Sequence, residues 1–388
     1  MKNILVTTTT FPLNEKDAQP GFIYNLAKVL VDDFHVTVLA PRGESSKKQE
    51  RIGKIDIVRY PYFFSKFETL VYGGGILENL RSNRLNYALI PFLLVAQLIS
   101  LWRVIKNKNI DVINAHWIIP QGVIAILVKR FIRKEMKVVI TSHGSDLYGL
   151  QRLNRIKRWV LNQSDSVIVV SSAMKSYCYD VLKVEACKPV YVRSMGVDLL
   201  STFVPTSSVE KRQGLVFVGR ISETKGLSTL IDALAHLHAE GLKLSLSVIG
   251  EGDALDEVRH KVNILNLAGY TNFMGRIKNT EIPAFLNAHA IFVMPSFQEG
   301  LGLVAVEAMG CGCTVIATDL DTIRDVVKPG KTGFLFEAGN ATALAEQIKL
   351  VEPDLKLRSH YAESGRQFVL DKFDWSKVAE EYSSILRL

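Results

Sequence analysis

Two glutamates eight residues apart, Glu299 and Glu307, enclose the turn Gly300-Leu301-Gly302-Leu303, an arrangement able to hold hydroxyl groups at both of its ends. A carboxylate accepts hydrogen bonds from two vicinal hydroxyls, so one of them suits a sugar and the other a ribose. Gly300 and Gly302 let the backbone crowd a ligand before Leu303 to Met309 resumes helical spacing. The start of such a helix offers unpaired N–H groups at the positive end of its dipole, which favours phosphate oxygens and polarised hydroxyls. A second cluster lies upstream: Gly219-Arg220 and Lys225-Gly226 sit between the apolar run Leu215–Val218 and the amphipathic stretch Leu227–His238. Two cations thus point at a loop where a helix dipole also favours an anion. Val248–Gly252 and Phe273–Ile277 repeat the pattern of a strand ending in a glycine turn, a weaker signal because many β-to-α turns show it.

The elements that must carry these loops are short β-branched runs separated by helical stretches. In the first half they fall at Ile4–Thr7, Val36–Leu39, Ile55–Arg59, Val112–Ala115, Val138–Thr141, Ser166–Val170 and Val190–Val192. In the second half they fall at Leu215–Val218, Leu244–Ile249, Ile291–Met294, Thr314–Ala317 and Gly333–Phe336. Strands alternating with helices imply right-handed crossovers and parallel sheets, hence an α/β class with two doubly wound domains. A length of 388 residues also exceeds one comfortable core. The stretch Thr202–Gly214, rich in Ser, Pro, Thr and charge, reads as the linker, with domains at 1–200 and from 201 onward. Two His-bearing stretches, Asn114–Trp117 and Thr141–Asp146, lie where first-half strands end, the side on which open parallel sheets bind ligands. For His116 the reading of a hydrogen-bonded core residue stands level with a functional one, whereas His143, before Gly144 and Asp146, reads as functional.

Charge is unevenly spread. Residues 1–200 hold 28 Lys+Arg against 16 Asp+Glu, net +12, while residues 201–388 hold 19 against 23, net −4. The first half is expected to face something anionic. Nucleic acid is disfavoured, since no motif with interleaved aromatics accompanies the charge. A lipid surface remains. The apolar run Tyr87–Trp102 is interrupted by Pro91 and, at sixteen residues, falls short of a membrane span. It reads either as a buried helix or as an interfacial one flanked by Arg81, Arg84, Arg103, Lys106 and Lys108, with Lys129-Arg130, Arg133-Lys134 and Arg152–Arg158 as further basic clusters. Met1-Lys2-Asn3 leads straight into strand-like Ile4-Leu5-Val6 without a signal-peptide pattern, so the expectation is a cytoplasmic chain, peripheral on the inner membrane face if the basic half meets lipid. Cys178, Cys187, Cys311 and Cys313 lack metal-ligand spacing and read as reduced, small core residues.

These motifs resemble those of the retaining glycosyltransferases of family 4, also called group 1: Pro295-Ser296, Glu299-Gly300-Leu301-Gly302-Leu303, Glu307-Ala308-Met309 and a following Cys-Gly occur in that family's order. The resemblance implies the GT-B fold, two Rossmann-like domains facing across a cleft, with a nucleotide-sugar domain at 201–365 and a final segment 366–388, containing Phe373-Asp374-Trp375, that crosses back to the acceptor-binding domain. It assigns catalytic roles to Glu299, Arg220, Lys225 and His143. Donor binding falls to Gly219, Gly250, Gly275, Arg276, Ile277, Gly300, Leu301, Gly302, Leu303 and Glu307, and the acceptor side to Gly21, His116 and Asp146.

Arg220 and Lys225 are expected to neutralise the donor diphosphate in place of a divalent ion, so neither metal nor cofactor is implied; Asp319-Leu320-Asp321 has an Asp-x-Asp pattern away from those cations. Departures from the pattern are few. Pro20-Gly21-Phe22 keeps one glycine of a usual pair, Met195 replaces an Asn before Gly196-Val197-Asp198, and Thr314 replaces a Pro. The implied reaction moves a sugar, with retention, from a nucleotide diphosphate sugar, UDP favoured over GDP, to a glycan or lipid-linked glycan of cell-surface polysaccharide type. A nucleotide-sugar epimerase of the same architecture and a noncatalytic sugar-nucleotide binder are the alternatives.

Overall fold

The computed structural model describes residues 1–13, 21–44, 46–72, 75–132 and 135–387. Pro20, Arg133 and Lys134, singled out above, lie outside them. The chain divides into two compact units, residues 1–195 with 378–388, and residues 196–377.

The first unit is built on β1 (Lys2–Thr7), β2 (Phe34–Pro41), β3 (Gln49–Ile52), β4 (Ile55–Tyr60), β5 (Val112–His116), β6 (Lys137–Ser142), β7 (Ser166–Val169) and β8 (Val190–Val192). They form one sheet in the order β3-β4-β2-β1-β5-β6-β7-β8. Every neighbouring pair is parallel except β3 with β4. Helices cover both faces of such a sheet, which is why β5 is buried along its whole length and β1 from Ile4 onward. The hairpin strand β3 was illegible in sequence because Gln49, Glu50 and Arg51 carry no apolar alternation. It is held by charge, the buried Arg59 guanidinium donating to Glu50 Oε1 at 2.6 Å, the Pro12 carbonyl at 2.6 Å and the Tyr72 hydroxyl at 3.2 Å.

In the second unit β9 (Leu215–Val218), β10 (Leu246–Ile249), β11 (Thr271–Gly275), β12 (Ile291–Met294), β13 (Thr314–Thr318) and β14 (Phe334–Phe336) are ordered β11-β10-β9-β12-β13-β14, all parallel. The first three strands therefore step outward to one side and the last three to the other. That reversal opens a crevice at the carboxyl ends of β9 and β12, and β1 and β5 make the same reversal in the first unit. The helix Leu227–Ala239 buries Leu227, Leu230, Ile231, Leu234 and Leu237 in a core shared with Leu215, Phe217, Leu246 and Val248. Each such side chain contributes roughly 1.5–3 kcal/mol of burial energy.

Four expectations change. The stretch Thr202–Gly214 is docked rather than free: buried Arg212 donates to the Ser207 carbonyl at 2.8 Å and to Asn287 Oδ1 at 3.2 Å, and the Asn287 amide donates to the Val204 carbonyl. The return to the first unit begins at Val378 rather than 366, because the helix Leu355–Phe373 buries Tyr361, Ala362 and Val369 within the second unit. Pro91 stands in the first turn of the helix Ile90–Asn107, where its missing N–H is harmless, so helical structure runs unbroken over Arg84–Asn107. Those 24 residues, with mean hydropathy 2.0 in an 18-residue window, are long and apolar enough to cross a membrane. Finally, Cys178, Cys311 and Cys313 are buried free thiols but Cys187 is exposed.

Candidate active site

At the carboxyl end of β9 the chain leaves through Gly219 and exposed Arg220, makes a short turn over Glu223–Lys225 and enters its helix at Gly226. At the carboxyl end of β12 it leaves through Pro295 and Ser296 and enters the helix Leu303–Gly310 at Gly302. The two loops are stitched together although some seventy positions separate them. Lys225 Nζ pairs with Glu299 Oε1 at 2.5 Å, Ser296 Oγ donates to the same oxygen at 2.8 Å, and the Phe297 amide donates to the Thr224 carbonyl at 2.8 Å. Gly226 makes this possible. Its φ of +65° and its position, where a Cβ would lie 2.0 Å from the Pro295 carbonyl oxygen, exclude any side chain.

The neighbouring strand ends extend the floor. The Gly219 amide donates to the Ile249 carbonyl at 3.0 Å and the Gly250 amide to the Gly275 carbonyl at 2.9 Å, so three glycine turns stand side by side along β9, β10 and β11. Gly250, at φ +138°, would carry a Cβ 1.9 Å from the Gly219 carbonyl oxygen. Arg276 is exposed and Ile277 half-buried just beyond, while Gly300, Leu301, Gly302 and Leu303 complete the turn after Glu299. Glu307 lies in the second turn of its helix. Among the described residues it has no hydrogen-bond partner, and although the residue is only partly covered, desolvation of its carboxyl pushes its pKa up to about 8.

The first unit brings its own three singled-out residues together at the carboxyl ends of β5 and β6. His116 Nδ1 lies 2.9 Å from His143 Nε2, with the rings stacked at 7° and centroids 5.2 Å apart. Burial holds His143 down at about 3 and lowers His116 well below the usual imidazole range, so both rings are neutral at physiological pH. Asp146 is occupied by its own protein: Oδ2 accepts from the Ile118 amide at 2.8 Å, and Oδ1 from the Ser142 hydroxyl at 2.9 Å and the His143 amide at 3.1 Å. It therefore clamps the two histidine loops to each other. Gly21 starts the helix Phe22–Leu30, and the Phe22 ring sits 5.0 Å from that of His143.

Sequence reasoning missed Ser296 as a partner of Glu299, Thr224 as the carbonyl latch, and Phe22 and Trp117 as the walls around His143, the last with its ring 5.2 Å away. Ser296 was legible within Pro295-Ser296; the aromatic walls left no spacing signal. The Asp319-Leu320-Asp321 pattern is structural at its first member, since Asp319 receives a two-pronged contact from Arg324 at 2.6 and 2.7 Å.

Comparison with known proteins agrees with this arrangement. The model for glycosyl transferases group 1 matches residues 202–368 and that for glycosyltransferase family 4 matches residues 21–199. Similar proteins include an uncharacterized glycosyltransferase of Methanocaldococcus jannaschii, 30% identical over 71% of this chain and 74% of its own. The N-acetyl-alpha-D-glucosaminyl L-malate synthase of Bacillus anthracis is 27% identical over 73% of this chain and 76% of its own. Among solved structures, Anabaena HepE in complex with UDP-glucose superposes with a TM-score of 0.72 at 18% identity, each chain covered over 100% of its length. With a family model on each of its two Rossmann-like units, the chain belongs to the family 4, or group 1, glycosyltransferases of the GT-B fold and is a glycosyltransferase.

Proposed function

We propose that the chain transfers a hexosyl or N-acetylhexosaminyl group, with retention at the anomeric carbon, from a UDP-sugar to a hydroxyl of a glycan or lipid-linked glycan. The observation that carries this reading is the Lys225–Glu299 pair, buttressed by Ser296 and flanked by exposed Arg220, at the strand reversal of the second unit. Cations there suit a diphosphate, and the adjoining carboxylate suits a sugar hydroxyl. UDP-glucose as the ligand of HepE supports the choice of donor class.

In this reading the bond between the anomeric carbon and the β-phosphate oxygen breaks while the acceptor oxygen bonds that carbon on the same face. The acceptor proton passes to the departing phosphate oxygen, and Arg220 and Lys225 stabilise the charge gathering on the diphosphate. Glu299 orients Lys225 and the sugar, Glu307 accepts the ribose hydroxyls, and the glycine turns at Gly219, Gly250 and Gly275, with Arg276 and Ile277, border the base. His143, His116 and Gly21 serve the acceptor side, and the two cations make a divalent ion dispensable. The test is to supply UDP-sugars and an acceptor series in the presence of a chelator and to read the product by NMR. A product with an unchanged anomeric configuration is expected. An inverted centre sinks the retaining mechanism, and loss of turnover on chelation sinks metal independence.

A further inference from the structure

The helix Ile90–Asn107 reverses the pattern of a helix lying on a sheet. Its inner face buries Leu93, Gln97, Leu101, Val104 and Ile105, and its outer face should be polar. Instead Phe92 is 51% exposed, Val95 54%, Ile99 39% and Trp102 41%. The apolar stripe ends in Arg103 and Lys106, with the Lys106 ammonium 5.4 Å from the Trp102 ring centroid. It also spreads sideways. The Phe63 ring lies 5.0 Å from that of Phe92, and Phe64 and Phe67 on the same loop are largely exposed.

Crossovers from β4 to β5, β5 to β6 and β6 to β7 all step the same way across the sheet, so the helices they contain share one face. The helix Val123–Ile132 lies beside Ile90–Asn107 and ends in Phe131, 80% exposed. The next, Asn154–Gln163, shows Arg155, Ile156 and Arg158 to solvent. Residues 79–164, the stretch of sequence that contains these helices, hold 14 Lys+Arg and 3 Asp+Glu. Among the described residues, Arg81, Arg84, Arg103, Lys106, Arg130, Arg155 and Arg158 take no part in an ion pair.

We propose that this face docks the chain on an anionic lipid bilayer, with the helix Ile90–Asn107 lying in the headgroup plane. A contiguous apolar patch of this kind marks an interaction surface. A second copy of the chain would set like charge against like charge, and a nucleic acid offers nothing to Val95 or Ile99. A bilayer with anionic headgroups satisfies both the aromatic stripe and the cations around it. Crossing the bilayer is excluded by the inner face, where Gln97 Nε2 donates to Thr7 Oγ1 at 3.3 Å and Leu101 covers the sheet.

The docking can be read with neither donor nor acceptor present, so it stands or falls separately from the transfer reading. The full chain is to be sedimented with vesicles of phosphatidylcholine alone and of phosphatidylcholine with phosphatidylglycerol, while Trp fluorescence is followed. Binding is expected to the anionic vesicles only, weakened by salt, with a blue shift that the W102F variant largely removes. The triple variant F92S/W102S/F131S, altered only at exposed positions and verified as folded by circular dichroism, is expected to lose about tenfold or more in partitioning. Equal pelleting of native and variant protein overturns the proposal. So does equal binding to neutral vesicles, or concentration-dependent self-association without vesicle binding.

Discussion

The two strand reversals of this molecule occupy the same position in the same kind of sheet and have opposite electrostatics. Between β9 and β12 the loops present exposed Arg220, the half-buried Lys225–Glu299 pair and Glu307, which has no hydrogen-bond partner among the described residues. Between β1 and β5, with β6 alongside, two neutral imidazoles stack, His116 buried and His143 half-buried, and the Asp146 oxygens are taken up by Ile118, Ser142 and His143. A parallel sheet fixes where the loops emerge, and the residues placed on them decide what they hold. The exposed, unpaired cations of the first unit lie on its outer helices rather than at its strand ends, so the charge asymmetry between the halves speaks to a binding face and not to the chemistry.

The comparison breaks most sharply at Lys225. Lys225→Ala should lower kcat by on the order of 10²–10³, the size seen when one preorganised donor to developing negative charge is removed, while circular dichroism stays native. Initial rates under saturating donor measure it. A loss of only a few-fold would mean that the cation serves mainly to hold Glu299, and the charged reversal would then be a structural latch like Asp146.

How far this contrast could be read beforehand depended on range. Strand ends and glycine turns are local signals, so β9, β12 and the Gly300–Leu303 turn were legible from Ile291-Phe292-Val293-Met294 and the glycines after it. The pairing of Lys225 with Glu299 joins loops distant in sequence, and only the family resemblance connected them. Asp146 was assigned to the acceptor side by resemblance to a His-Gly-x-Asp turn, and nothing in the sequence shows that Ile118, Ser142 and His143 also meet its oxygens. The run around Ile90–Asn107 stayed open between a buried and an interfacial helix for a related reason, since an apolar run does not announce which of its faces the sheet covers.

Acid pH separates the two reversals next. His143 is held near 3 against an ordinary 6.5, and His116 is lowered as well, so the unfolded chain takes up protons that the folded first unit refuses. Stability is therefore lost as pH falls below 6.5, by about 2 kcal/mol for His143 on reaching pH 5, with a further loss from His116 in the same direction. Urea unfolding followed by tryptophan fluorescence should show that decline, and His143→Phe should make it shallower. An unchanged slope in the variant would show that the histidines ionise in the folded state.

Glu307 carries the opposite dependence and gives the finest test. Its folded pKa of about 8 lies above the ordinary 4.5, so the folded second unit retains a proton that the unfolded chain releases, and stability declines as pH rises from 4.5 toward 8. A ribose diol hydrogen-bonded to the ionised carboxylate would repay that desolvation. UDP affinity measured by calorimetry should then tighten by about tenfold between roughly pH 7 and pH 9, because the ionised fraction rises from about a tenth to about nine tenths across a pKa near 8. Glu307→Gln should bind UDP with little pH dependence over the same range. If the native affinity is flat or weakens instead, the neutral acid is the form that meets the ligand, donating its O–H. The second reversal would then meet its nucleoside with an uncharged group, as the first presents neutral imidazoles, and the contrast between them would narrow to Arg220, Lys225 and Glu299.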